Sequence, residues 1–184
     1  MRVIRYKGVR QMEFKLNKVD RLMVNAAAKD TGRPVLHCVH IKKGAIEAAN
    51  GFILMERKLD YNGDEVLLDI ADIAKHKDAK GLEGVVYTSN GDNEVKAIGQ
   101  DINILNKQEG NFPDTKKLYP TEEPVFKIAL GRSELLNMLK CLDKDEEIIK
   151  FQFYGTEKPA KIETTSGEVT GLIMPIQATW DSKS

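Results

Sequence analysis

Three histidines and two cysteines are the chain's soft metal-ligand side chains, and three of the five fall together in His37-Cys38-Val39-His40. On a strand, alternation sets Cys38 and His40 on one face and His37 on the other. A zinc site wants about four ligands, and no nearby CxxC or HxxxH completes one. The expectation is therefore a strand of mixed burial and no metal. Asp60-Tyr61-Asn62-Gly63-Asp64 opens like a calcium loop. However, Glu65 stands where such a loop needs its glycine, and Ala71 where it needs a bidentate carboxylate. A polar hairpin turn is the better reading. GxGxxG, GxxxxGK[ST] and GxSxG are all missing. Acidic residues are plentiful, but the sequence sets no two of them at a catalytic separation. Nothing here argues for an enzyme or a cofactor.

Charge narrows the classes further. In 184 residues, 28 basic and 28 acidic side chains cancel. That excludes a polycation that coats nucleic acid by bulk charge and leaves room for a local basic face. Arg2, Arg5, Lys7 and Arg10 form the densest basic cluster, with no acid among the first twelve residues. It reads either as a DNA contact or as a soluble end. No apolar run is long enough to span a bilayer, and no apolar stretch backs the N-terminal charges as in a secretory signal. With only Cys38 and Cys141, far apart, a reduced cytoplasmic setting with two buried or half-buried thiols is expected.

The elements that must position any site are short. Gln11 to Leu16 alternates as a strand, which fits better than a linear docking peptide at Gln11-Met12-Glu13-Phe14. Asn17 with Asp20 forms a capping box for a helix carrying Val19, Leu22, Met23, Ala26 and Ala27 on one face. Gly32 and Pro34 stop it. Strands follow at Val35 to Lys42, Ala45 to Ala49 and Phe52 to Leu59. The order repeats: a strand at Val66 to Leu68, a helix at Ile70 to Ala74, then strands at Gly84 to Ser89, Glu94 to Gly99 and Asp101 to Lys107. A third round sets a strand at Val125 to Leu130, a helix at Arg132 to Leu142, and strands at Glu147 to Tyr154, Ala160 to Thr165 and Val169 to Gln177. The chain thus reads as β-α-β-β-β three times, with a period of roughly 50 to 60 residues. One such unit cannot cover its own sheet, whereas two make a domain.

Four stretches together resemble the bacterial DNA polymerase III β subunit, the sliding clamp. Gly110-Asn111-Phe112-Pro113-Asp114-Thr115-Lys116-Lys117-Leu118-Tyr119-Pro120 is similar to the segment closing that family's middle domain. Leu172-Ile173-Met174-Pro175-Ile176-Gln177 is similar to the end of its last domain. Thr31-Gly32-Arg33-Pro34-Val35-Leu36 and Ala48-Ala49-Asn50-Gly51-Phe52-Ile53-Leu54 resemble its strand entry and its hairpin turn. The resemblance implies an α+β DNA-clamp fold with antiparallel sheets outside and helices inside. Residues 1–120 would form one complete clamp-like domain and 121–184 half of another.

What the resemblance implies for function is non-catalytic. It points to a DNA sliding clamp-like processivity factor that holds double-stranded DNA without reading sequence. The alternative is a clamp-like adaptor or inhibitor that pairs with a full clamp or polymerase and never encircles DNA. DNA polymerase or other clamp-binding proteins would insert a peptide into an apolar pocket. Carried over by position, its walls are Ala49, Gly51, Phe52, Ile53, Leu54, Pro113, Lys117, Leu118, Leu172, Met174, Pro175 and Ile176. Phe52 and Ile53 replace the family's histidine and arginine, and Gln177 replaces an arginine, so the pocket should be greasier. The bland alternative is that these residues only pack core and turns. The helices would face phosphates through Lys18, Arg21, Lys29, Lys75, Lys77, Arg132 and Lys140. Asp20, Asp72 and Glu134 interleave with them, so a solvated mixed-charge face is the competing reading. Clamp rings of this family close with six domains, so three units per chain imply a homo-oligomer, a tetrameric ring with half domains paired across subunits.

Overall fold

The computed structural model describes residues 12–30, 32–78, 81, 83–89 and 93–180. The chain divides into two compact units, with the boundary in the sequence between Tyr119 and Pro120. The basic cluster Arg2 to Arg10, together with Gln11 and Thr31, lies outside the described residues.

The first unit is α+β and holds two rounds of the repeat. Round one is β1 (Met12–Leu16), a 3₁₀ helix (Asp20–Ala26), β2 (Cys38–Lys42), β3 (Ala45–Ala49) and β4 (Leu54–Lys58). Round two is β5 (Val66–Asp69), α1 (Ile70–Lys75), β6 (Val85–Ser89), β7 (Glu94–Ile98) and β8 (Ile102–Asn106). The opening strands are exchanged between rounds. One sheet runs β1-β6-β7-β8 and the other β4-β3-β2-β5, with every pair antiparallel. Each opening strand therefore leaves its own round, and the helix behind it carries the chain across to the other sheet.

Alternation explains why the exchange is stable. Met12, Phe14 and Leu16 of β1 are buried while Glu13 and Lys15 are exposed. The register sets Phe14 opposite Tyr87 and Leu16 opposite Val85. Phe14 stacks on Tyr87 with ring centroids 5.0 Å apart, and Tyr61 meets Phe14 edge-on at 5.3 Å. Side chains of both sheets and both helices share this core, including Met23, Ile41, Leu68, Ile73 and Val95. Each large side chain so buried contributes about 1.5–3 kcal/mol.

The capping box forms as the spacing predicts. Asn17 Oδ1 accepts from the Val19 and Asp20 amides, and Asp20 Oδ2 accepts from the Asn17 amide at 2.9 Å. The helix behind it is 3₁₀, not α, and its buried side chains Asp20, Met23 and Ala26 recur every third residue. Val19 and Leu22, expected on the buried face, are exposed. Val35 to His37, expected as strand, is a 3₁₀ turn that starts on Pro34. His37 thus leaves the strand, and its Nδ1 sits 2.8 Å from the Ala28 carbonyl.

The second unit holds round three: α2 (Arg132–Lys140), β9 (Ile149–Gln152), β10 (Ala160–Thr164) and β11 (Thr170–Ile173). Its sheet has three strands, β11-β10-β9. Val125 to Leu130, expected as the opening strand, is not one; it makes a single bridge from Leu130 to Pro175. A strand needs hydrogen-bonded pairing along an edge, and among the described residues the segment makes none beyond that bridge. Leu135, Leu136, Met138 and Leu139 give α2 an apolar stripe, yet none of its side chains is fully buried. For the same reason Cys141 is exposed, contrary to the expected burial, while Cys38 is buried. Burial pushes the Cys38 thiol up to about 11, with Asp69 adding to it.

Candidate functional site

The hairpin between β3 and β4 presents one part of the expected pocket. Asn50 Oδ1 accepts from the Phe52 amide at 2.9 Å and the Ile53 amide at 3.0 Å, which closes an Asx-type turn. Gly51 has φ +92°, a backbone conformation that favours glycine, and the movable end of Arg33 lies over its Cα. The turn holds Phe52 out at 97% exposure, with Ile53 half-exposed beside it. Ala49 is buried at the end of β3 and Leu54 is partly buried at the start of β4. The expected greasy character is thus on the surface and not packed into the core.

The connector after β8 supplies the second part. Thr115–Leu118 is a short 3₁₀ helix in which Thr115 is buried and Lys117 and Leu118 are exposed; Pro113 ahead of it is also exposed. Lys117 Nζ lies 3.0 Å from Asp114 Oδ2, and that hydrogen bond holds the exposed Asp114 carboxyl below its usual value.

A buried polar network that the sequence did not single out pins this connector to the sheet. Thr115 Oγ1 donates to Glu47 Oε2 at 2.7 Å, and Lys42 Nζ donates to the same oxygen at 2.6 Å and to Thr115 Oγ1 at 3.3 Å. His40 Nδ1 lies 2.8 Å from Glu47 Oε1, and the His40 ring stacks on Phe112 at 4.8 Å. Lys42 also reaches Glu56 Oε2 of β4 at 3.0 Å, so the hairpin's outgoing strand and the connector share one cation. Burial by itself would raise the Glu47 carboxyl. The hydrogen bonds from His40, Lys42 and Thr115, with the Lys42 charge, outweigh it and hold the group down at about 2. A signal for this network existed. Gly44, at φ +78°, closes a two-residue loop, which fixes the register that sets His40 opposite Glu47.

The third part belongs to the second unit. Leu172 on β11, then Met174 and Ile176, are exposed, and Pro175 is partly buried against Leu130. The Ile176 amide donates to the Ala129 carbonyl at 2.9 Å. An open cleft of about 710 Å³ lies beside it, lined by Lys127, Ile128, Pro175, Ile176 and Trp180 among others.

The phosphate-facing candidates divide by their partners. Arg21 is committed inside the fold: Nη1 donates to the Leu16 carbonyl at 2.9 Å and Nη2 pairs with Asp78 at 2.7 Å. Lys75 is exposed, 3.5 Å from Asp72. Lys18, Lys29, Lys77, Arg132 and Lys140 are exposed and form no ion pair among the described residues. Among the described residues, no group of three or more His, Cys, Asp or Glu is placed to hold a metal ion. No described helix is long and apolar enough to cross a membrane.

This architecture is that of the bacterial sliding clamps. The DNA polymerase III β chain of Streptococcus pneumoniae matches 97% of this chain with a TM-score of 0.68 at 19% identity. The sliding clamp of Bacillus subtilis matches 96% with a TM-score of 0.66 at 16% identity. The clamp of Pseudomonas aeruginosa bound to griselimycin matches 96% with a TM-score of 0.63 at 15% identity. Each match takes in only 52 or 53% of the other chain, so this chain spans about half the length of those clamps. No protein-family model and no curated protein matches it. The chain has the fold of the DNA polymerase III β clamps.

Proposed function

We propose that the protein is a non-catalytic, sliding clamp-like processivity factor of the cytoplasm. It encircles or docks at double-stranded DNA and offers a peptide pocket to replication proteins. The first unit serves as a complete clamp-like domain and the second as half of one. Four chains, twelve rounds of the repeat, close the ring. The observation that carries this reading is the clamp fold over 97% of the chain. The P. aeruginosa clamp bound to griselimycin adds that a protein of this fold takes a ligand. A second reading, a non-encircling adaptor or inhibitor that pairs with a full clamp or polymerase, is favoured by the chain spanning about half of a clamp. Retention on circular DNA separates the two. An encircling protein stays on nicked circles and is lost when they are linearised, because only topology and phosphate contacts hold it. Equal retention on both forms, or none on either, would remove encirclement.

A further inference from the structure

The first unit displays the rule by which these rounds complete themselves. The outer edge of β6 takes β1, and the outer edge of β2 takes β5; in neither case does the opening strand pair within its own round. Round three breaks the rule on both counts. The outer edge of β9 is unpaired among the described residues, and Val125 to Leu130 joins no described strand. Burial follows the pairing. Four of the five residues of β2 are buried, whereas β9 has none fully buried. Ile73 of α1 is completely buried, whereas α2 buries nothing completely. Val125 is fully exposed, and Phe126, Phe151 and Phe153 cluster with each other yet each remains more than a third exposed.

We propose that round three completes its domain with round three of a second copy of this chain. Val125 to Leu130 of each copy adds as a fourth strand to the outer edge of β9 in the other. The mate cannot lie between Pro120 and Val125, where only four residues intervene. The segment is matched to that edge. Ile149 and Phe151 share the face of Thr164 and Ile162, their buried partners on β10. Setting Leu130 opposite Ile149, Ile128 opposite Phe151 and Phe126 opposite Phe153 makes each apolar residue meet another. It reproduces the pairs Leu16–Val85 and Phe14–Tyr87 of the first unit. A slip of one residue would set two of the three against Lys150 and Gln152, and a slip of two would leave one facing Gly155 or Glu147. On the outward face Lys127 meets Gln152 and Ala129 meets Lys150, so no like charges oppose each other. Ala129 already accepts from Ile176, and by alternation the main-chain groups of Ile128 and Leu130 face the other edge. Segment and edge lie on one unit, so a single two-fold axis satisfies both copies.

The proposal deepens the homo-oligomer part of the proposed function, and its test involves no DNA. In a Cys141→Ser background, Ile128→Cys with Phe151→Cys should oxidise to a covalent dimer, whereas Ile128→Cys with Lys150→Cys should not. Light scattering on the unaltered chain at tens of micromolar should give a dimer or a higher even multiple. A monomer by scattering, a cross-link inside one chain, or a dimer that the 128–151 pair does not trap would each overturn it. So would a chain that stays single until a separate clamp-fold protein is added, an outcome that points to the adaptor.

Discussion

Glu47 shows how much one residue decides. It is 1% exposed and is bound by three groups, His40 and Lys42 of β2 and Thr115 of the connector. Removing it leaves Thr115 without its acceptor and Lys42 with Glu56 as its remaining partner, and leaving a buried polar group unsatisfied costs about 1–3 kcal/mol. We expect Glu47→Ala to lower the stability of the first unit by that order and Thr115→Ala by about 1 kcal/mol, as read by urea denaturation. The pH dependence has a definite sign. The folded carboxyl is held at about 2, below its ordinary 4.5. Its contribution is therefore complete above about pH 4.5 and is lost as pH falls towards 2. Glu47→Gln should flatten that part of the stability–pH curve; an unchanged acid limb in the variant would count against the network. None of this was visible in composition, because Thr115 is 68 residues from Glu47 and only the folded connector brings them together.

At the scale of elements, strands of the first unit were legible where one sheet face packs on the core and the other faces out, as in β1 and β6. The capping box at Asn17 was legible because it is local. Two readings failed for a physical reason in each case. Val35 and Leu36 have strand character, but Pro34 starts a 3₁₀ turn that delays β2 to Cys38. Val125 to Leu130 has strand alternation but among the described residues pairs only through the Leu130–Pro175 bridge. The expected pocket segments rest on resemblance alone, and what the sequence could not convey is their exposure. Leu118 and Met174 are each more than 60% exposed, so charging either should leave the fold intact. An anchor Leu or Phe gains roughly 1.5–3 kcal/mol on burial, so a short peptide should bind at about micromolar strength. We expect titration calorimetry with a Gln-x-x-Leu-Phe-type peptide to give that affinity. Leu118→Asp and Met174→Asp should each weaken it several-fold, with the thermal transition unchanged. No heat at millimolar peptide, from folded protein, would remove the docking role.

For the whole molecule the deciding quantity is charge placement, since the net charge is zero. A neutral protein gains little from long-range attraction, so any grip on DNA must come from a few local phosphate contacts. Each such contact releases counterions and adds about 0.9 to the slope of log K against log salt. Arg21 is spent on Asp78 and the Leu16 carbonyl, which leaves Lys18, Lys29, Lys77, Arg132 and Lys140 as exposed cations without ion pairs among the described residues. Binding to a short linear duplex should therefore be weak and fall steeply as salt rises. Lys29→Ala and Lys77→Ala should each lower the slope by about one per contact removed and weaken all sequences alike. Arg21→Ala should act differently: it removes two internal contacts, so it should lower the melting temperature and leave the salt slope where it was. Fluorescence anisotropy across a salt series, beside a thermal melt, reads both. If Arg21→Ala reduces the slope while the lysine variants do not, the helices meet DNA through a different face from the one their free cations define.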